Sequence, residues 1–210
     1  MDDMFTSRQE AAARLAERLS TYRGCRPLVL AIPRGAVPMA DTIARALEGE
    51  LDVVLVRKLR APNQEELAIG SVDESGWTYL APFAASTGAD AAYIEAEKQL
   101  QLQTMRRRRQ AWTPLRKPID PENRTVIVVD DGLATGATMI GALHSLRARN
   151  PAHLICAVPV APADTLQRVG AMADAVVCLE VPANFHAVGQ FYRDFPQIDD
   201  AQVAQILRNA

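Results

Sequence analysis

Two adjacent aspartates, Asp130 and Asp131, follow the apolar run Val126-Ile127-Val128-Val129 and precede Gly132-Leu133-Ala134-Thr135-Gly136-Ala137-Thr138-Met139. Carboxylates at the end of a buried strand can accept hydrogen bonds from vicinal hydroxyls or help hold a hard cation. Neighbouring strand side chains point opposite ways, but the strand ends here, so both acids can reach a ligand. Thr135-Gly136-Ala137-Thr138 then opens a helix. Its small residues let backbone N–H groups approach an anion, the helix N-terminus favours negative charge, and two threonines add hydroxyl donors. One loop thus offers a diol or metal site beside a monophosphate site, and a ribose 5-phosphate presents those two features. The plainer alternative is a helix-capping turn with Thr135 and Thr138 as caps. It accounts poorly for paired acids and threonines in this order.

Neither G-x-x-x-x-G-K-[ST] nor G-x-G-x-x-G occurs, which argues against a P-loop nucleotidase and against the usual dinucleotide fold.

The elements that must hold this loop read as alternating strands and helices. Strands are expected over residues 28–32, 51–56, 125–129, 154–160 and 175–179, and helices over 6–22, 36–47, 90–112, 137–149 and 162–172. Short apolar runs without alternation fit a mostly parallel five-stranded sheet covered on both faces, an α/β Rossmann-like architecture. In such sheets ligands bind at the carboxyl ends of strands, here the loops after Ile32, Val56, Val129 and Val160. Residues 67–72 and 77–80 read as a hairpin around Asp73-Glu74-Ser75-Gly76, and the polar stretch 59–66 as an exposed loop.

The chain has 210 residues, 49% of them hydrophobic and 23% charged, with a net charge of −2. That suits a single domain over 1–210. The whole-molecule field favours neither a nucleic-acid nor a membrane partner, so an anionic small substrate needs a local positive site. Cys25, Cys156 and Cys178 are widely spaced and read as buried thiols in a reducing compartment. The stretch MDDMFTSRQE has no apolar signal core, and no run approaches the roughly 20 residues of a membrane helix. A cytoplasmic location is the expectation.

The segment 126–139 closely resembles the phosphoribosyl pyrophosphate signature of type I phosphoribosyltransferases: four apolar residues, two acidic ones, then T-G-x-T. The order of elements over about 28–179 is similar to that family's fold, with core 28–180, an insertion at 77–122 and a hood at 181–198 joined by the N-terminal segment. The resemblance implies an enzyme of pentosyl transfer and nucleotide salvage. Asp130 and Asp131 would bind the ribose hydroxyls. Ala134, Thr135, Gly136, Ala137 and Thr138 would wrap the 5-phosphate. Mg2+ would sit mainly on substrate oxygens beside Asp130 and Asp131. Pro33-Arg34-Gly35-Ala36 resembles the pyrophosphate loop, its plainer alternative being a surface turn. Arg57-Lys58 is similar to the pair that meets pyrophosphate in adenine and orotate enzymes, the alternative being a solvated strand end. Stretch 59–66 would be the lid.

The resemblance also bears on the acceptor. In 6-oxopurine enzymes an aspartate precedes T-G; here Ala134 stands there, which argues against hypoxanthine or guanine. The hood carries Phe185, His186, Phe191, Tyr192 and Phe195. Phe185 and Tyr192 are candidates to stack on a nitrogenous base, although these rings could equally pack the hood. His186 is either a proton carrier or a residue with a structural or solvent role. Arg106–Arg109 reads as a solvated helix end or a subunit contact, and a homodimer is the expected assembly. The rival function is a non-catalytic regulatory protein that binds phosphoribosyl pyrophosphate or a nucleotide in the same pocket.

Overall fold

The computed structural model describes residues 4–210. Residues 1–3 of the acidic N-terminal stretch, and the side chain of Glu66, lie outside the described residues.

Five parallel strands build the main sheet: β1 (Leu28–Ala31), β2 (Glu50–Val53), β6 (Thr125–Val129), β7 (His153–Val160) and β8 (Ala175–Glu180), in the order β2-β1-β6-β7-β8. The expected α/β class and five-stranded sheet are therefore present. Val126 through Val129 are fully buried, as a central strand covered on both faces requires. From β1 the chain crosses to β2 on one side, whereas β6 leads to β7 on the other. Strands β1 and β6 are neighbours, with Ala31 paired to Val129. Their loops leave the same edge and diverge, which opens a crevice at this switch point.

Helices cover the faces. The helix α1 (Arg8–Arg18) starts at Ser7, whose hydroxyl caps it, and buries Ala11, Ala12, Leu15 and Ala16 at helical spacing. It packs with α2 (Val37–Ala46); α4 (Ala137–Arg147) and α5 (Ala163–Gly170) follow the later strands.

The second expected strand, 51–56, is in fact two. Its apolar run Val53-Val54-Leu55-Val56 hides a change of sheet, because no turn residue marks the break. Val56 begins β3 (Val56–Ala61), which pairs antiparallel with β4 (Gln64–Asp73), and β4 pairs with β5 (Thr78–Leu80). The stretch 59–66 is therefore the end of a hairpin rather than a loop. Pro62-Asn63 forms its tip, with Asn63 in the left-handed region at φ 59°. Leu59 and Ala61 point inward while Lys58 is exposed and Arg60 half-buried; charged residues at period two concealed a strand. The Asp73–Gly76 turn forms as expected, with Asp73 Oδ1 accepting from Ser75 N at 2.9 Å and Trp77 N at 3.0 Å.

The long helix α3 (Ala91–Trp112) is capped by Asp90. Its buried residues are Glu97, Gln101, Leu102, Met105 and Trp112, and the helix packs on β3 and β4 of the second sheet. Trp77 stacks on His144 of α4, with ring centroids 3.5 Å apart and planes 6° apart, which ties the insertion to the core. Of the three cysteines expected to be buried, Cys156 is buried, Cys178 half-buried and Cys25 exposed. Sequence reasoning assigned no element after residue 198, but α6 (Asp200–Asn209) follows there, with Asp199 capping it.

Candidate active site

A cavity of about 580 Å³ occupies the crevice. Loops after β1 and β6 form its floor, β3 one wall, and the segment after β8 its roof. Strand β6 presents Asp130 and Asp131 into it, and the turn Ala134-Thr135-Gly136-Ala137-Thr138 borders it as one continuous ledge. Gly136 adopts φ 73° at the N-cap of α4, and a Cβ there would meet Thr165 Cγ2 at 2.8 Å. Glycine alone tolerates both conditions. The turn is pinned from behind, where the Thr165 hydroxyl donates to Ala134 O at 2.8 Å and the Ser71 hydroxyl to Ala137 O at 2.7 Å. First-turn amides of α4 have no intrahelical acceptors, and Ala137 N donates to Thr135 Oγ1 at 3.4 Å.

Arg34 and Gly35 also line the cavity, as do Arg57 and Lys58. Arg57 and Lys58 lie within β3, not at the end of a parallel strand. The Pro33–Arg34 peptide is cis. Gly35 lies so close to Asp131 that a Cβ would stand 2.0 Å from its Oδ2.

Both aspartates are held by unequal partners. Asp130 Oδ1 accepts from Asp131 N at 2.9 Å. Burial first, then the charge of Asp131, pushes the Asp130 carboxyl well above the usual carboxylate range; Lys58 and Arg8 pull the other way. Asp131 is gripped by Arg8 of α1, whose Nε and Nη2 both donate to Oδ2, at 2.9 and 2.8 Å. Arg8 Nη1 donates to Pro196 O at 2.7 Å, and its guanidinium lies 3.7 Å from the Phe195 ring centroid. Tyr192 completes the clamp by donating its hydroxyl to Asp131 O at 2.7 Å.

The rings of the hood are placed differently from the expectation. Phe185 stacks on Phe191 and Tyr192 is buried beneath the acids; neither lines the cavity, because their faces are spent on hood packing. Phe195 does line it, stacked on Tyr192 at 4.7 Å. His186 is exposed and outside the lining. The N-terminal segment braces this roof, with Phe5 N donating to Phe191 O at 2.7 Å and Arg193 N to Phe5 O at 2.9 Å.

Arg57 is steered from α3. Its Nε donates to Gln101 Oε1 at 2.9 Å, and Gln101 Nε2 donates in turn to Glu97 Oε1 at 2.9 Å. Burial, with repulsion from Arg108, Arg60 and Arg34, lowers its pKa to about 10. The four-arginine run is not simply a solvated helix end: Arg109 pairs with Glu74 and Arg108 with Asp200, while Arg106 and Arg107 are exposed. Sequence reasoning missed Arg8, Gln101 and Arg108, and it named Phe195 among the hood rings without singling it out. The spacing 97, 101, 105, 108, 112 puts polar residues on the buried stripe of α3, a legible signal that they serve the neighbouring strand.

Comparison with known families gives a match to the phosphoribosyl transferase domain over residues 3–196. The chain belongs to the phosphoribosyl transferase family. Two curated relatives from Mycobacterium tuberculosis are named "Putative phosphoribosyl transferase Rv0571c" (strain H37Rv) and "Putative phosphoribosyl transferase MT0597" (strain CDC 1551). Each is 41% identical over 208 residues, covering 99% of this chain and 47% of the relative. The chain thus spans about half the length of these relatives. A solved structure, that of TT1426 from Thermus thermophilus, is 43% identical to this chain, with a TM-score of 0.81 over 98% of each chain. Among the described residues, no helix is long and apolar enough to cross a membrane.

Proposed function

We propose that the cavity binds phosphoribosyl pyrophosphate and transfers its ribose 5-phosphate to a nitrogenous acceptor, releasing pyrophosphate. One observation carries the reading: the paired acids and the Thr135–Thr138 ledge face the same cavity as Arg34, Arg57 and Lys58. A sugar diol, a monophosphate and a diphosphate require those three groups of partners in one space.

Asp130 and Asp131 orient the ribose hydroxyls, each with one carboxylate oxygen not used by the protein bonds described above. The ledge takes the 5-phosphate through amides and hydroxyls. As the C1–oxygen bond breaks, its electron pair leaves with the diphosphate, and Arg34, Arg57 and Lys58 stabilise that charge. The acceptor nitrogen forms the new bond to C1 and gives up its proton to solvent. Phe195, rather than Phe185 or Tyr192, is the ring available to a flat acceptor in this space.

Two aspartates without further ligands fit a magnesium ion shared with a phosphorylated substrate, since this ion keeps waters and substrate oxygens in its shell. Among the described residues no group of three or more potential metal ligands forms a protein-only cage. Asp130 and Asp131 would hold the ion together with donor oxygens, and it would neutralise the departing diphosphate.

The test is magnesium-dependent pyrophosphate release with a panel of purines, pyrimidines, amines and phosphate as acceptors, run beside calorimetric titration of the donor. Release that requires one acceptor, and is lost in Asp131→Asn, supports transfer. Donor binding without turnover of any acceptor would point to a regulatory protein. Failure to bind the donor at all would remove the reading.

A further inference from the structure

We propose that Arg108 is a positioning residue for the donor's diphosphate, and that Asp200 holds the place of that anion in the free protein. This inference rests on the transferase reading of the cavity.

Arg108 reaches inward from α3 with a side chain only 11% exposed. Its Nε and Nη1 are buried and have no hydrogen-bond partner among the described residues. Its remaining contact is an ion pair from Nη2 to Asp200 Oδ1 at 3.3 Å, with the Trp112 ring centroid 5.6 Å from its guanidinium. A guanidinium with two of its nitrogens left unpaired inside a protein is costly, so its retention calls for a gain elsewhere.

The same Asp200 Oδ1 lies 3.8 Å from Arg34 Nη1. One carboxylate oxygen is thus shared between a cavity arginine and a buried arginine. Arg57 stands in the field of both, and its repulsion from Arg108 and Arg34 is only partly offset by Glu97. Three guanidinium groups from three separate elements therefore converge on one shared acid and Glu97. Such a cluster is better matched to a polyanion than to a single carboxylate, because a diphosphate offers more acceptor oxygens and more charge.

Asp200 is suited to yielding its place. Its side chain is 53% exposed and sits in the first turn of α6. Just before it, Phe195, Gln197 and Ile198 line the cavity roof. Arg34 can then exchange Asp200 for diphosphate oxygens without moving its own loop. Arg108 does not line the cavity; it acts through Arg34 and Arg57 by keeping positive charge behind them, where little water screens it.

Calorimetric titration of inorganic pyrophosphate in magnesium chloride tests this on the full chain. The Arg108→Met variant should bind roughly tenfold more weakly, with Arg108→Lys recovering part of the loss, whereas Asp200→Asn should bind several-fold more tightly. In steady-state assays Arg108→Met should raise the donor KM more than it lowers kcat. The opposite signs separate this role from mere support of α6, which would make both changes weaken binding. An unchanged dissociation constant in Arg108→Met, or weaker binding in Asp200→Asn, overturns the inference. If Arg108→Met does not fold, Asp200→Asn decides alone: no gain in affinity overturns it. Wild-type protein that binds neither pyrophosphate nor the donor overturns the transferase reading and this inference together.

Discussion

Arg8 and Asp131 are 123 positions apart in the chain, yet two guanidinium nitrogens converge on one carboxylate oxygen, Oδ2, at 2.8 and 2.9 Å. The geometry leaves Oδ1 of Asp131 to a ligand and ties the first helix, the hood and the acidic pair into one unit. On the proposed transferase reading, Asp131 is aimed before the donor arrives, so little orientational freedom remains to be lost on binding.

Replacing Arg8 tests that aim. Arg8→Met removes both bonds to Asp131, the bond to Pro196 O and the stacking on Phe195, and it leaves a half-buried carboxylate uncompensated. Stability should fall by about 2 to 4 kcal/mol, measured by chemical denaturation. Donor affinity should fall as well, because Asp131 is no longer held. A variant with wild-type affinity and only a lowered melting temperature would show that Arg8 braces the fold without orienting the site.

Gly35→Ala probes the closeness of the two loops. The new methyl would stand 2.0 Å from Asp131 Oδ2 and 3.1 Å from Arg8 Nη2, so the carboxylate, or the loop carrying Arg34, has to move. A displacement near 1 Å at the reacting groups costs about 100-fold in rate. The expected outcome is loss of turnover on that scale in a protein that still folds. Turnover within a factor of two of wild type would mean the contact is dispensable.

Much of this arrangement was legible in the chain. Short apolar runs located all five parallel strands and the loops after Ile32 and Val129 that line the cavity, because strand burial and ligand approach leave local signatures; the expected loop after Val56 is strand β3, and the one after Val160 does not line the cavity. What stayed hidden depends on the third dimension. The change of sheet at Val54–Leu55 is masked by an unbroken apolar run. The Leu59–Ala61 strand is masked by charges at period two. Arg8 reads as an ordinary first-turn residue of an amphipathic helix, and only the docking of α1 against the loop after β6 gives it a partner. Phe195 and Tyr192 are equivalent as letters; the chain path decides that one lines the cavity and the other supports it.

Asp52 supplies a pH-dependent signal remote from the cavity. It is 3% exposed and accepts from Val53 N and Ile119 N, both at 2.8 Å. Burial pushes its carboxyl above the ordinary value of 3.8, against the pull of those two amides. The native state thus keeps this proton to a higher pH than the unfolded chain does. Its contribution to stability is fully present below about pH 3.8 and is lost as pH rises through the raised value. Asp52→Asn cannot titrate, so the stability of wild type relative to this variant should decline from acid toward neutral pH. Denaturation curves at several pH values check it, and parallel profiles would contradict the assignment.

Arg57 sets function against stability. Its pKa is lowered from the ordinary arginine value to about 10, chiefly by burial and then by the neighbouring arginines. Between those two values the unfolded chain binds more protons than the native one, so stability from this group rises with pH there. Below about pH 10 the full cost is present. At neutral pH, Arg57→Met removes a cation that is desolvated and repelled, while keeping an apolar stem against α3. The free protein should gain about 1 to 3 kcal/mol. Pyrophosphate binding should weaken in the same variant, since a charge that faces the diphosphate is gone. A thermal shift series with and without pyrophosphate reads both effects at once: a higher melting temperature alone, and a smaller ligand-induced rise. A variant that melts lower and still shows the wild-type ligand shift would place Arg57 in the scaffold rather than in the anion site.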